Sequence, residues 1–441
     1  METPARMRPA CFRRAFITHS GFDHQLSAQP NPRRNLAVAA LFLAVLILSP
    51  EADGQAASSR RVRSGIDVLE SSGLGGDSAH PKRIGVLTNQ SGVDSQGRRT
   101  IDELVAMPGM KLTAIFSPEH GLAGQQDTTE MTEERDAATG LPVYSVYGST
   151  DAKRRPPVEV LKRLDAVVID LQDVGARFYT YKTTLGYFLE GAAQAGIEVM
   201  VLDRPNPIGG AVVEGPVSDE GRDSFLLYHP LPTRHGMTLG ELALLFNAER
   251  KIGARLRVVA MEGWRRDDWY DQTGLVWVNP STALRSLTAT TLYPGVALIE
   301  FNNVSVGRGT ETPFELVGAP WIREQEFADY LNRRRIPGVR FTPAEFTPRS
   351  SVHANQVCRG VRIEITDRDA LRSPELGVEL ASALEKLYPK ENNMERMILL
   401  LGNQRVFEAI QREENPRRVA RSWQGGLRKF QRVRQRYLLY R

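Results

Sequence analysis

Glu119 and His120 stand side by side in Ser117-Pro118-Glu119-His120-Gly121, just beyond the apolar run 112–116. A carboxyl group partly buried in a crevice can act as a general acid, and an adjacent imidazole can orient it or hold a hydroxyl. Pro118 fixes the turn, and Gly121 lets the backbone pass close beside a ligand. Taken alone, the pair fits a surface turn with an ion pair better. A second polar cluster shifts the weighing. Asp170, Gln172, Asp173 and Arg177 surround Val174-Gly175 and lead into Phe178-Tyr179-Thr180-Tyr181. Carboxylates, an amide, a guanidinium and the rings of Tyr179 and Tyr181 within twelve residues suit a sugar. Its hydroxyls need planar polar groups, and its C–H face needs an aromatic one. The plainer alternative is a helix start capped by Asp173 with the aromatics in the core. Asp203-Arg204-Pro205-Asn206-Pro207 and Arg234-His235-Gly236-Met237-Thr238 are two more rigid polar loops, and Thr238 suits a helix cap. In Asn303-Val304-Ser305-Val306-Gly307-Arg308-Gly309, flanking glycines would let Arg308 offer a bidentate fork to a carboxylate.

Such clusters need strand ends to hold them. Run 84–88 ends at Asn89-Gln90-Ser91-Gly92, 112–116 at Ser117, 166–169 at Asp170, 199–202 at Asp203 and 256–260 at Met261. Amphipathic helical patterns at 186–195 and 239–249 lie between them. Near-continuous apolar strands alternating with helices imply parallel strands covered on both faces. The expected fold class is therefore α/β, a Rossmann-like doubly wound parallel sheet over residues 82–289 with its ligand crevice at the strands' carboxyl ends. Beyond Pro294 the pattern changes. Segments 296–301 and 359–366 read as strands and 374–387, 394–413 and 416–440 as helices, giving a second, smaller α+β domain over 290–441. Gly73-Leu74-Gly75-Gly76 follows no strand and has the wrong spacing for a dinucleotide loop. No cofactor is expected.

The 441 residues exceed one core and suit two domains plus a processing segment. Hydrophobic residues at 41% and charged ones at 25% are ordinary for a globular chain. Six Lys/Arg and four Asp/Glu precede Ala57, so the rest carries 51 basic against 48 acidic residues, or +3. That mild balance neither demands nor excludes an anionic partner, and no nucleic-acid partner is expected. Nine basic and no acidic residues lie between Arg417 and Arg441, with Arg428, Arg432 and Arg436 on one helix face. A solvated face accounts for them; docking onto an anionic wall polymer is the sharper alternative. Arg33-Arg34, the apolar run 36–48 and Gly54-Gln55-Ala56 read as an export signal over residues 1–56. The run would span about 20 Å as a helix, short of the ~30 Å hydrocarbon core. No integral membrane span is expected once it is removed, and the mature chain is expected in the periplasm or outside the cell. Residues 57–81, rich in Ser, Gly and Arg, read as a linker into a first helix. Removal of Cys11 would leave Cys358 without an intramolecular partner, so neither a disulfide framework nor a cysteine metal site is expected.

Five segments in this order resemble one family. Leu87-Thr88-Asn89-Gln90-Ser91-Gly92, the Ser117–Gly121 loop, Asp170 to Tyr181, Asp203-Arg204-Pro205-Asn206-Pro207 and Gly307-Arg308-Gly309-Thr310 are similar to the exo-β-N-acetylmuramidases, long known only as a domain of unknown function. The likeness runs from about Arg83 to the C-terminus, and Gly318-Ala319-Pro320-Trp321 and Tyr437-Leu438-Leu439-Tyr440 share it. It implies release of N-acetylmuramic acid from the non-reducing end of peptide-free, peptidoglycan-derived saccharides, with the family's catalytic glutamate at Glu119. It also implies a smaller residue where Phe301 stands.

On this reading Glu119 protonates the leaving glycosidic oxygen with His120 beside it. Asp170 or Asp173, or the substrate's own 2-acetamido group, completes the reaction. Arg177 or Arg308 would meet the lactyl carboxylate. Asn89, Gln90, Gln172, Tyr179, Tyr181, Arg204, Asn206, His235 and Asn303 are the further candidates for substrate contact. Two other classes remain. A non-catalytic periplasmic amino-sugar-binding protein would share the cleft and the signal but release no product. A metal-dependent hydrolase built on His120, Asp170 and Asp173 has no supporting His or Cys spacing and would lose activity in chelator. No metal is expected.

Overall fold

The computed structural model describes residues 61–72, 79–126, 128 and 134–441. The expected export signal and Gly73-Leu74-Gly75-Gly76 lie outside them. The central sheet uses β1 (Lys82–Thr88), β2 (Met110–Ser117), β3 (Glu134–Arg135), β4 (Pro142–Ser145), β5 (Ala166–Asp170) and β6 (Glu198–Leu202). After β7 (Glu214–Val217) and β8 (Pro232–Arg234), which pair with each other, β9 (Arg255–Val259) completes it. Its order is β3-β4-β2-β1-β5-β6-β9, parallel throughout except for the antiparallel edge strand β3. The six parallel strands thus run 3-2-1-4-5-6 in chain order, the Rossmann arrangement, with its switch point between β1 and β5. Thr88 pairs with Asp170 there.

Alternation along the strands builds two cores. Leu87, Val167, Ile169, Val199 and Val201 face one side, beneath helices Tyr181–Ala195 and Leu239–Glu249. Ile84, Val86, Ala166, Val168, Met200 and Leu202 face the other, beneath helices Gly65–Ser72 and Thr100–Ala106. Strands buried on both faces are why the sequence reads as unbroken apolar runs. The helices start and stop where local chemistry directs. Thr238 and Glu241 form a capping box, and Gly196, at φ +71°, closes helix Tyr181–Ala195 in the left-handed region.

Residues 61–72, read above as linker, belong to the fold. Arg63 bridges Glu262, and Ile66 and Leu69, one turn apart, are buried against the sheet. Segment 296–301 is not a strand either. It continues helix Leu287–Val296 into a 3₁₀ turn at Ala297–Ile299. A short apolar run reads alike whether it is a buried strand or a buried helix, and the Ser286 cap ahead of it decides. The long helix expected over 394–413 breaks at Gly402, φ +60°, and restarts from Asn403, which caps Val406. The second sheet has order β10-β12-β11, from β10 (Leu316–Ala319), β11 (Val339–Phe346) and β12 (Cys358–Ile365). Its core is continuous with that under helix Tyr181–Ala195, so the described residues pack as one compact unit. Cys358 is buried, and burial pushes its thiol up to about 11.

Candidate active site

The turn after β2 aims Glu119. Gly121 N–H donates to Pro118 O at 3.0 Å, Gln126 N–H donates to His120 O at 3.1 Å, and His120 Nδ1 lies 3.0 Å from Gln126 O. His120 is held at φ +73° and Gly121 at φ +74°. A left-handed non-glycine residue costs free energy, and such residues gather where a chain must present a group. Glu119 and His120 then line a cavity of about 260 Å³. Tyr179 and Thr180, downstream of β5, supply a second wall; Tyr293, Glu300, Phe301 and Arg308, from the chain's second half, supply a third. The Thr180 hydroxyl donates to Glu119 Oε2 at 2.6 Å, and the Tyr181 hydroxyl lies 3.3 Å from the Glu119 carbonyl. Glu300 and Arg308 form an ion pair, and the Arg308 guanidinium lies 5.4 Å from the Phe314 ring centre. Burial, and then the neighbouring Glu300 charge, raise the Tyr293 phenol well above its usual range.

Several residues expected at the site lie beneath it instead. Asp170 is fully buried between Arg204, with contacts of 2.5 and 2.8 Å, and the Thr100 hydroxyl, and Arg204 also donates to Val93 O. Both partners are used up in holding the switch point together. Arg177 is fully buried and donates to the carbonyls of Pro216, Leu231, Leu400 and Leu401 at 2.6–2.8 Å. Burial pushes it down to about 9. It ties loops together and cannot read a ligand carboxylate. Asp173 is buried as well, accepting from Gly175 N–H at 2.8 Å with His235 Nε2 at 3.4 Å. His235 Nδ1 accepts from Met237 N–H, which in the neutral ring leaves the hydrogen on Nε2, toward Asp173. Gln172 donates to Asp173 O and Pro205 O, Asn206 to Met237 O, Asn89 to the Tyr181 hydroxyl and Gln90 to Asn279 O. Asn303 donates to Glu391 O and accepts from Asn393 N–H. Tyr181 and Tyr179 both donate to Pro280 O, but only the Tyr179 ring reaches the cavity wall. Of the expected residues, Glu119, His120, Tyr179 and Arg308 are brought together; the remainder support them.

The residues missed are Thr180, Tyr293 and Glu300. Thr180 stands in the Phe178–Tyr181 cluster with no role assigned, and Glu300 inside the segment read as a strand. Tyr293, a lone phenol in an apolar helix, was a readable signal. Phe301 lines the cavity with the Arg396 guanidinium 5.4 Å from its ring centre, which narrows the wall where a smaller residue was expected. Among the described residues, Glu70, Asp94 and Glu103 bring three carboxylates close enough to share a cation, but Arg98 pairs with all three and none lines the cavity.

A family model for exo-beta-N-acetylmuramidase NamZ, N-terminal, matches residues 84–288, and its C-terminal counterpart matches residues 291–440. The chain belongs to the NamZ family. Peptidoglycan beta-N-acetylmuramidase NamZ of Bacillus subtilis is 41% identical over 399 residues, covering 89% of this chain and 94% of its own. Two crystal structures from Bacteroides fragilis, each described as a DUF1343 family protein, share the fold. One aligns with TM-score 0.79 at 35% identity, covering 87% of this chain and all of its own; the other has TM-score 0.70 at 27% identity, covering 86% and 99%. The two NamZ models meet between residues 288 and 291, whereas the cavity takes walls from both sides of that boundary.

Proposed function

We propose that this chain is an exo-acting glycoside hydrolase that removes N-acetylmuramic acid from the non-reducing end of peptidoglycan-derived saccharides during cell-wall turnover. Its similarity to the B. subtilis enzyme along nearly the full length of both chains carries the reading. The cavity agrees with it. At about 260 Å³ it is close to the lower end of the roughly 300–1,000 Å³ of ligand pockets, room for a single sugar.

Within the cavity, Glu119 is the proton donor to the leaving oxygen, and Arg308 is the cation that meets the lactyl carboxylate. With Asp170 and Asp173 built into the scaffold, Glu300 is the other carboxylate lining the cavity among the described residues. Its pairing with Arg308 holds that guanidinium at the wall. Tyr179 and Phe301 supply aromatic wall for the sugar. Residues 1–56 act as the export signal, which places the mature enzyme in the periplasm or outside the cell.

The test is product analysis. The mature chain, given the disaccharide of N-acetylmuramic acid β-linked to N-acetylglucosamine, should release both free sugars. Glu119→Gln should lower kcat by about 10²–10⁴. Retention of the disaccharide without cleavage by the wild-type chain would identify a binding protein instead.

A further inference from the structure

We propose that Thr180 is the positioning residue that decides which oxygen of Glu119 carries the catalytic proton. The inference rests on Glu119 being the acid. Thr180 occupies the N-cap of the 15-residue helix Tyr181–Ala195. There a threonine hydroxyl normally accepts from a backbone N–H two or three residues on, and that bond adds about 1 kcal/mol of stability. Thr180 makes no such bond. Its backbone is already helical, φ −75° and ψ −20°, and its carbonyl accepts from Thr183 and Thr184. An N-cap side chain that bonds the helix sits on extended backbone, as Thr238, φ −82° and ψ 168°, does elsewhere in this chain. The hydroxyl of Thr180 is turned instead to Glu119 Oε2, 2.6 Å away.

That donation constrains the acid. A carboxylic acid has one proton, and an oxygen that already accepts the threonine hydrogen is the weaker place for it. With Oε2 engaged, the proton rests on Oε1, and rotation of the carboxyl group is blocked. The Tyr181 hydroxyl, which donates to Pro280 O, lies 3.3 Å from the carbonyl of the same residue, so consecutive residues of one helix start pack against both ends of Glu119. General acid catalysis depends on this alignment, because the proton must lie within hydrogen-bond reach of the leaving oxygen as the bond breaks. After transfer, the same hydroxyl remains to stabilise the carboxylate.

The experiment compares full-length mature Thr180→Val, Thr180→Ser and Glu119→Gln on the muramyl disaccharide, with melting temperature measured for each. Valine keeps the β-branched shape and removes only the hydroxyl, and no capping bond is lost. Thr180→Val should lower kcat by about 10–100-fold, the worth of a hydrogen bond to a charged group. KM and melting temperature should stay close to wild type, and Thr180→Ser should recover most of the rate. Wild-type kcat in Thr180→Val, beside an inactive Glu119→Gln, would overturn the positioning role alone. A loss that serine fails to restore, or that tracks a fall in melting temperature, would overturn it too. An active Glu119→Gln would instead remove the reading beneath it.

Discussion

Replacing Asp170 by Asn separates scaffold from chemistry. Asp170 is fully buried, and both its oxygens face Arg204, itself 5% exposed, at 2.5 and 2.8 Å. Asparagine keeps the shape but removes the charge, leaving Arg204 buried with the Val93 carbonyl and one amide oxygen. Breaking a buried pair from one side costs about 3–5 kcal/mol, because the stranded charge loses its compensation. Against the ~5–15 kcal/mol that holds most domains folded, that is two to four powers of ten in the folding equilibrium. Urea unfolding followed by tryptophan fluorescence reads the loss. Turnover measured at low temperature, per folded molecule, should stay within a few-fold of wild type, since asparagine keeps the shape, the Gln172 bonds that anchor the loops remain, and Asp170 does not reach the cavity. A variant with unchanged unfolding and kcat reduced a hundredfold would refute the reasoning and return Asp170 to the chemistry.

The second prediction concerns pH. Burial pushes Asp203 up to about 6, against donors at Thr238, Tyr440 and Gly240 that pull the other way. The folded state then holds this proton more tightly than the unfolded one. Its contribution to stability is full below pH ~4 and falls away by about 2–3 kcal/mol as pH rises to 6. Asp203→Asn should remove that fall from the difference between the two unfolding curves, and equal slopes would refute it. Arg308→Lys should raise KM for muramyl substrates about 10–100-fold while leaving glucosaminides unaffected, since a lysine loses the fork; an unchanged preference would remove Arg308 as the carboxylate reader. Arg177→Met should give little folded protein, because four buried carbonyls lose their donor at about 1–3 kcal/mol each.

The parallel strands were readable because each is short, apolar and bounded by turn residues, and all five expected runs lie within observed strands or one residue beyond. Strand β4, Pro142–Ser145, escaped because it is only four residues long and three of them are half-covered, beside the two-residue edge strand β3. Segment 296–301 was misread because an unbroken buried run carries no period. The site was legible in kind and only partly in membership. Motif residues such as Asp170, Arg177 and Asn206 are polar, clustered and at strand ends, as ligand-binding residues would be, yet their partners are carbonyls and charges of the scaffold. Nothing in one sequence tells a guanidinium that meets a substrate from one that meets Leu400 and Leu401, which lie more than 220 residues away along the chain.

The position of the cavity follows from that scaffold. Doubly wound sheets usually bind ligands at the switch point, here between β1 and β5. In this chain the position is filled: Asp170, Arg204 and Thr100 close it, and Asn89 turns to Tyr181 beside it. The open space is displaced toward the ends of β2 and β4, where Glu119 and Tyr147 stand, and the chain's second half covers it with Tyr293, Glu300 and Arg308. The plug is therefore part of the design of the site. By anchoring the loops after β1, β5 and β6 to one another, it fixes the helix start that carries Thr180, and through Thr180 the carboxyl group of Glu119. The proposed proton donor comes from one half of the chain and the proposed carboxylate reader from the other. Catalysis and selection for an acidic sugar thus depend on the same packed interface, with its rigidity supplied by the very residues whose sequence made them look like ligands.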